Sequence, residues 1–334
     1  MPPGKEFAMA DTLTAASARR NAAHGGTLVV TARRDVAQDV VELTLARPGG
    51  ERLPDWAPGA HIDIVLPDGT TRQYSLLGDR WDAHSFTIAV LREREGRGGS
   101  EHIHTRLTAG DTVGFGGPRN NFRLSPAPGY LFVAGGIGIT PLMPMVRQAE
   151  LLGDPWRLLY LGRSRARLAY LDELAQYGER VTVHAADESG RAAIDDWMPD
   201  PAVPPVVYAC GPERMLDAVD LWAAPLGRHR VRLERFTARG DADRPATVFE
   251  VEVASSGAVV TVQKDESIVD ALRRVDVDVI TSCAQGVCGT CETGVLRGVP
   301  DHRDALLSEA ERAESRCLYP CISRAVSDRL VLDL

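Results

Sequence analysis

The hydrophobic and polar positions divide the chain into stretches of different rhythm. Up to about residue 124, short β-branched runs such as TLVVTARRDVAQDVVELTLA and SFTIAVLRE alternate with turn signals at Pro48-Gly49-Gly50 and Pro67-Asp68-Gly69. Short strands at regular spacing are typical of an antiparallel barrel or sandwich. Residues 1–26 are rich in Ala, Arg and Gly and have no hydrophobic period, so we expect a disordered leader there.

The rhythm changes between residues 125 and 236. The apolar runs YLFVAGG, WRLLYLGR, VTVHAAD and PVVYACGP alternate with the helical patterns TPLMPMVRQAELL, LAYLDELAQYG and ERMLDAVDLWAAPLG. Strands that alternate with helices predict a doubly wound parallel sheet. Residues 237–246 are polar, with Gly and Pro, and are expected to be a linker.

The last stretch begins at Thr247. The segment TVFEVEVASSGAVVTVQ predicts a hairpin, SIVDALRRV predicts a helix, and a cysteine-rich loop follows. We therefore predict three domains: a barrel over 27–124, an α/β domain over 125–236 and a small α+β domain over 247–334.

Composition limits the functional classes. The 334 residues are 44% hydrophobic and 25% charged, as in ordinary globular proteins, and the net charge of −8 argues against a broad nucleic-acid surface. The sequence lacks both a run of twenty apolar residues and a secretory signal, so we expect a cytoplasmic protein without a membrane span. Residues 246–334 hold 15 acidic and 9 basic residues, a net of −6. This imbalance suggests either a docking surface for a basic partner or simple solubility.

Five of the six cysteines lie in the last 52 residues, which in a reducing compartment favours metal ligation over disulfides. Cys283, Cys288 and Cys291 form C-x4-C-x2-C, and Cys321 follows after 29 residues. This spacing resembles the plant-type ferredoxin pattern for a 2Fe-2S cluster, which needs four thiolates. Zinc is the alternative, although zinc sites usually pair two C-x2-C units.

Two features of the cysteine loop refine this expectation. Gly286 and Gly289 stand where bulkier side chains would keep backbone N–H groups away from cluster sulfurs. Cys317 lies four residues before Cys321 and could compete as the fourth ligand. The 29-residue gap favours Cys321, and Cys317 is expected to be a buried apolar residue.

The segment RQYSL at 72–76 resembles the R-x-Y-S motif of the ferredoxin–NADP reductase superfamily. The resemblance implies that Arg72 contacts a flavin phosphate, that Tyr74 packs on the isoalloxazine ring, and that Ser75 lies near flavin N5. A guanidinium suits phosphate, and an aromatic face suits a flat ring. Downstream, GRGGS contributes Gly98, Gly99 and Ser100, which together predict an anion-binding nest before a helix.

The order of barrel, nucleotide domain and C-terminal ferredoxin, over residues 27–334, is similar to the phthalate dioxygenase reductase family, which includes the vanillate demethylase reductases. This resemblance implies FMN rather than FAD, NADH as the electron donor, and a Rieske-type aromatic oxygenase or demethylase as the acceptor. Two alternatives stay open: a reductase for a haem-thiolate monooxygenase, and a non-enzymatic iron-sulfur carrier or redox sensor. We expect a monomer that binds neither nucleic acid nor membrane.

Two loops are expected to bind the nicotinamide nucleotide, since each follows a buried strand and opens a helix. The resemblance implies that they flank the nicotinamide, with Cys210 as a positioning residue beside the reacting carbon. It also implies that Phe236, in LERF, covers the flavin; ordinary packing is the alternative for this side chain. The predicted residues of the two loops are Gly135, Gly136, Gly138 and Thr140 in VAGGIGITPL, and Cys210, Gly211 and Pro212 in ACGPERML.

The choice between NADH and NADPH depends on the segment after WRLLYLGR. Arg163 and Arg165 could bind the 2′-phosphate of NADPH, whereas the family resemblance implies NADH. Asp187, at the end of the next strand, could accept hydrogen bonds from the ribose hydroxyls or could be solvated. The resemblance thus implies NADH, and the role of these arginines stays open.

Overall fold

The computed structural model describes residues 25–192, 205–223, 230–236, 245–307 and 309–334. The expected leader, apart from its last two residues, and positions 237–244 of the expected linker lie outside the described residues. The chain divides into two compact units, Met1–Glu234 and Arg235–Leu334. The finer division into three domains stays a prediction.

The first unit begins with a six-stranded antiparallel sheet of order β4-β3-β6-β1-β2-β5. A bridge between Leu76 and Ile88 joins its two edges, so the sheet closes into the expected barrel. Apolar side chains that include Leu28, Ile62 and Phe115 fill the interior, and one helix, α1, follows β5. The elements are β1 (Gly26–Ala37), β2 (Val40–Ala46), β3 (His61–Val65), β4 (Thr71–Ser75), β5 (Ser85–Leu91), α1 (Gly99–Arg106) and β6 (Thr112–Arg119).

The same unit continues with the expected parallel sheet, whose order is β11-β10-β7-β8-β9. The chain leaves β7 toward β8 on one side and later returns to β10 on the other, so a topological switch point lies between β7 and β10. The strands are β7 (Tyr130–Gly135), β8 (Trp156–Gly162), β9 (Val181–Ala185), β10 (Val206–Cys210) and β11 (Val231–Glu234). The helices are α2 (Ile139–Leu152), α3 (Leu171–Ala175), α4 (Ala186–Ser189) and α5 (Glu213–Ala223).

One helix is shorter than its pattern predicts. The segment LAYLDELAQYG is helical only over Leu171–Ala175. Tyr170 precedes the helix with a left-handed φ of 64°, and Leu168 and Ala169 are buried. Packing against the core therefore keeps the first residues of this segment out of the helix.

The second unit is built on a five-stranded mixed sheet of order β13-β12-β18-β14-β16, with the expected hairpin β12–β13 at one edge. Helix α6 begins after Ser267, whose side chain accepts a hydrogen bond from the Asp270 N–H at 3.1 Å. The cysteine loop connects α6 to β14. The elements are β12 (Phe249–Val253), β13 (Val259–Val262), α6 (Ile268–Arg273), β14 (Thr293–Arg297), β15 (Pro300–Asp301), α7 (Glu309–Glu314), β16 (Cys317–Leu318), β17 (Arg324–Ala325) and β18 (Arg329–Asp333).

Within the described part of the chain, none of the helices combines the length and apolar character needed to cross a membrane.

Candidate functional site

Arg72 and the start of α1 form a cradle on the barrel. Arg72, on β4, donates from Nη1 to the Thr71 carbonyl at 2.8 Å and from Nη2 to the Arg97 carbonyl at 2.9 Å. Gly98 precedes the helix in the left-handed region, with φ of 81°, and provides no side-chain cap. A Cβ on Gly99 would lie only 2.8 Å from Arg72 Cγ. Glycine at this position therefore lets the arginine lie against the helix N-terminus.

This cradle fits a phosphate group. The first N–H groups of α1 have no partner within the helix, and the helix dipole favours an anion there. Ser100 Oγ accepts a hydrogen bond from the Glu93 N–H at 3.0 Å, and its own O–H can donate. Burial, and then the positive charge of Arg97, lower the pKa of Arg72. A bound phosphate would offset that repulsion between like charges.

Tyr74 and Ser75 lie beside the cradle on β4. Tyr74 pairs with Ile62 of β3 and packs against the barrel core, and burial raises the pKa of its phenol. Ser75 is buried and pairs with His61. Consecutive residues of a strand face opposite sides, so Tyr74 and Ser75 do not share a face. Their contacts with a flavin ring stay a prediction.

The two glycine-containing loops meet at the switch point. A Cβ on Gly138 would lie 2.1 Å from the Cys210 carbonyl oxygen, and one on Gly135 would lie 2.5 Å from Pro212 Cδ. Packing between the loops therefore requires glycine at both positions. Gly136 differs, because its φ is 53° and no atom lies within 4 Å of where its Cβ would be. Among these three glycines, only Gly136 leaves open space beside the backbone.

The other predicted residues of these loops have similar surroundings. A Cβ on Gly211 would lie 2.8 Å from Gly135 Cα. Thr140 is buried in the first turn of α2, and its hydroxyl donates to the Ile137 carbonyl at 3.0 Å. The structure thus packs the two loops together through Gly135, Gly138, Cys210, Gly211 and Pro212, and their contact with a nucleotide stays a prediction. Ligands of open α/β sheets bind in a crevice at the carboxyl ends of the strands.

Cys210 has a partner that the sequence analysis missed. Cys210 and Glu234 are register partners at the carboxyl ends of β10 and β11, and their side chains share a hydrogen bond. Burial raises the pKa of Glu234 to about 8 and also raises that of the Cys210 thiol. In the described residues, Glu234 Oε2 is buried and has no hydrogen-bond partner. The available signal was an acidic residue at the end of an apolar strand, two positions before Phe236.

Phe236 belongs to the second unit and is 42% exposed. Its role as a cover for the flavin stays a prediction.

The loops after β8 and β9 lie together. The Asp187 N–H donates to the Arg163 carbonyl at 3.0 Å, and Arg165 Nε forms an ion pair with Glu188 Oε1 at 3.0 Å. Both arginines thus lie at the carboxyl edge of the sheet, and their contact with a nucleotide stays a prediction. Glu188 was not predicted.

The cysteine loop brings four thiols into one network. Cys283 hydrogen-bonds both Cys288 and Cys321, and Cys321 also hydrogen-bonds Cys291. Cys283, Cys288 and Cys291 are buried, as ligands of a shielded cluster would be. As free thiols, they form no preorganised metal site: the described residues contain no group of three or more Cys, His, Asp or Glu side chains that could hold a metal ion. The four sulfurs fit a 2Fe-2S cluster, in which two irons share four thiolates.

Cys317 lies outside this network, and it is partly exposed rather than buried as the sequence analysis expected. It pairs through the backbone with Gly294 on β14, and burial followed by nearby Glu292 raises the pKa of its thiol. Gly286 has a φ of 67°, and a Cβ there would lie 2.6 Å from Ile322 Cγ2. Glycine at 286 thus permits both the turn of the loop and its packing. The structure places Cys321 with the other three thiols and Cys317 apart from them.

A barrel with a phosphate cradle, a parallel sheet with a glycine-lined switch point and a ferredoxin-like unit define a flavin- and pyridine-nucleotide-dependent reductase of the ferredoxin reductase type. Residues 251–326 match the family model described as the 2Fe-2S iron-sulfur cluster binding domain. The chain is 45% identical over 305 residues to the phenoxybenzoate dioxygenase subunit beta of Ectopseudomonas oleovorans, covering 89% of this chain and 94% of that protein. It is 35% identical to the phthalate dioxygenase reductase of Burkholderia cepacia, over 92% of this chain and 97% of that protein.

Comparison with solved structures points to the same family as the sequence relatives. A phthalate dioxygenase reductase, whose structure is described as modular for electron transfer from pyridine nucleotides to [2Fe-2S], matches with a TM-score of 0.68 and 34% identity, over 92% of this chain and 97% of that chain. An intact type IV self-sufficient cytochrome P450 monooxygenase matches with a TM-score of 0.85 and 41% identity over 92% of this chain, which spans 41% of that longer chain. The chain belongs to the phthalate dioxygenase reductase family and is an oxidoreductase.

Proposed function

We propose that this protein is the reductase component of a multicomponent oxygenase, which passes electrons from NADH through FMN and a 2Fe-2S cluster to a Rieske-type aromatic oxygenase or demethylase. The observation that carries the proposal is the network of Cys283, Cys288, Cys291 and Cys321 in a chain that also has a phosphate cradle and a nucleotide crevice. One polypeptide then carries sites for a hydride donor, a flavin and a one-electron cluster.

Each site has a defined task. Arg72 and the N–H groups at Gly98–Ser100 hold the flavin phosphate, and the Tyr74 ring packs on the isoalloxazine. The crevice between the Gly135–Gly138 and Cys210–Pro212 loops orients the nicotinamide, and Cys210 positions it through packing. A flavin held there would supply hydride acceptance and a cluster would supply one-electron transfer, while the protein's own residues supply binding, orientation and tuning.

The acceptor is an oxygenase component. The relatives that match along nearly their whole length include proteins named as a dioxygenase subunit and a dioxygenase reductase, whereas the cytochrome P450 match concerns less than half of its chain. A Rieske-type oxygenase is therefore favoured over a haem-thiolate monooxygenase as the partner. The net charge of −6 over residues 246–334 suits a basic docking surface on that oxygenase. We further propose a cytoplasmic monomer with no nucleic-acid or membrane partner.

Cofactor analysis of the purified holoenzyme tests this proposal. We expect one FMN and two irons per chain, and bleaching of both the flavin and the cluster absorption when NADH is added without oxygen. Extracted flavin that chromatographs as FAD, or zinc in place of iron, would contradict the cofactor assignment. A chain whose flavin no pyridine nucleotide reduces would contradict the electron path.

A further inference from the structure

We propose that Glu188 sets the preference for NADH over NADPH, because its carboxylate occupies Arg165 and repels a 2′-phosphate. This inference rests on the proposed function and names the residue that selects its electron donor. The carrying observation is the ion pair between Arg165 Nε and Glu188 Oε1, at 3.0 Å, on the edge of the sheet where the nucleotide binds.

The two residues come together because β8 and β9 end side by side. The parallel register pairs Gly162 with Ala185, so the chain leaves both strands at the same level. The Asp187 N–H then donates to the Arg163 carbonyl at 3.0 Å and joins the two loops. In doubly wound sheets, the residues after the second strand meet the adenosine ribose, and an arginine there accommodates the 2′-phosphate.

The segment after β8, residues 163–167, also contacts the barrel. Arg167 Nη2 lies 3.1 Å from Asp39 Oδ2, and the Gln38 N–H donates to the Ala166 carbonyl at 2.7 Å. Arg167 is thus directed to the turn between β1 and β2, away from β9. Arg165 is the arginine of this segment that meets Glu188.

The charges of Arg165 and Glu188 decide which nucleotide this edge of the sheet binds. Arg165 alone would attract a phosphate dianion, but the ion pair with Glu188 has no net charge. The carboxylate also repels a nearby phosphate, whereas it can accept hydrogen bonds from neutral ribose hydroxyls. Both side chains are about half exposed, so the ion pair itself adds little stability. Its consequence is selectivity, because the Glu188 carboxylate stays beside the site and repels a 2′-phosphate.

The substitution Glu188→Gln keeps the shape of the side chain and removes its charge. We expect kcat/KM for NADPH to rise about tenfold, the factor for removing one unit charge about 6 Å from a phosphate dianion in watery surroundings. The value for NADH should stay within about twofold, the range that a screened surface interaction allows. Calorimetric titration of the holoenzyme with adenosine 2′-monophosphate should show a matching gain in affinity, which does not depend on turnover.

Two further variants make the test specific. Arg165→Ala combined with Glu188→Gln should abolish the gain for NADPH and for adenosine 2′-monophosphate. Glu179→Gln is the matched control, since Glu179 is exposed and precedes β9, at the amino ends of the strands. It should change neither kcat/KM for NADPH nor the affinity for adenosine 2′-monophosphate. Any of three results would overturn the inference. These are an unchanged affinity of Glu188→Gln for adenosine 2′-monophosphate, a gain for NADPH that survives the added Arg165→Ala substitution, and a wild-type preference for NADPH. Failure of both nucleotides to reduce the flavin would instead overturn the proposed function.

Discussion

Glu234 shares a hydrogen bond with Cys210 across the last pair of residues in the parallel register of β10 and β11. The pair lies at the carboxyl ends of these strands, next to the crevice where the nucleotide is proposed to bind. Because burial raises the pKa of Glu234 to about 8, its carboxyl group is mostly protonated at neutral pH. The site therefore places a neutral carboxylic acid, rather than a carboxylate, beside the predicted positioning cysteine.

The raised pKa predicts a pH dependence of stability. Between the ordinary value of 4.5 and about 8, the unfolded chain loses this proton while the folded protein keeps it. The free energy of unfolding should therefore fall as pH rises through this window, by on the order of a few kcal/mol from this group. Glu234→Gln should flatten that slope in urea unfolding measured from pH 5 to 8. A slope in Glu234→Gln that stays parallel to wild type would show that Glu234 ionises normally.

The phosphate cradle predicts a change in flavin affinity. In Gly99→Ala the new Cβ would lie 2.8 Å from Arg72 and displace the guanidinium from the start of α1. The dissociation constant of FMN should rise about tenfold or more, as for loss of one charge-assisted hydrogen bond. Fluorescence titration of the flavin-depleted protein measures this constant. Gly49→Ala is the control, since Gly49 lies in an exposed turn of the same barrel and its Cβ meets only the flexible Glu51 side chain; equal losses in both variants would count against the cradle.

The thiol network predicts which cysteines the cluster needs. Cys288→Ser should remove or disturb the cluster, because a serine oxygen is a poor match for iron in a thiolate site. NADH should still reduce a dye that takes electrons from flavin at a near-normal rate, because the flavin and nucleotide sites lie in the first unit, which has its own core. Electron transfer to the oxygenase should stop.

A comparison of two cysteine variants identifies the fourth ligand of the cluster. Cys321→Ser should bleach the cluster spectrum, whereas Cys317→Ser should preserve it, because Cys317 does not take part in the described thiol contacts. The reverse result would assign the ligand to Cys317. Normal reduction of the oxygenase by Cys288→Ser would show that electrons bypass the cluster.

The lowered pKa of His61 predicts that the first unit loses stability in acid. Burial, and then the charge of Arg119, lower the pKa of His61 to about 4. As pH falls from 6.5 toward 4, the unfolded chain takes up a proton that the folded protein excludes, so the stability present above pH 6.5 is lost. His61→Gln should lose less stability than wild type between pH 7 and 4 in urea unfolding. An unchanged slope in His61→Gln would mean that this histidine titrates normally.

Local pattern was sufficient for most elements. The period of two in the first stretch and the alternation of apolar runs with helical patterns predicted the barrel and the parallel sheet, because side-chain direction follows from backbone geometry. It failed for LAYLDELAQYG, where burial of Leu168–Tyr170 limits the helix to Leu171–Ala175. Amphipathic spacing reports which side chains can share a face, and packing against neighbouring elements decides how far the helix extends.

The sequence by itself determined the chemistry that the chain can offer: clustered thiols at ferredoxin spacing, Arg72 with a glycine-rich loop, and two glycine-containing loops after apolar strands. These features are local, so residue type and spacing carry them. The tertiary structure places Cys321, which the spacing favoured, with the other thiols. Only the tertiary structure brought Glu234 to Cys210 and paired Arg165 with Glu188. Each of these contacts joins residues that are distant along the chain, and pKa, ligation and charge selection depend on distance through space.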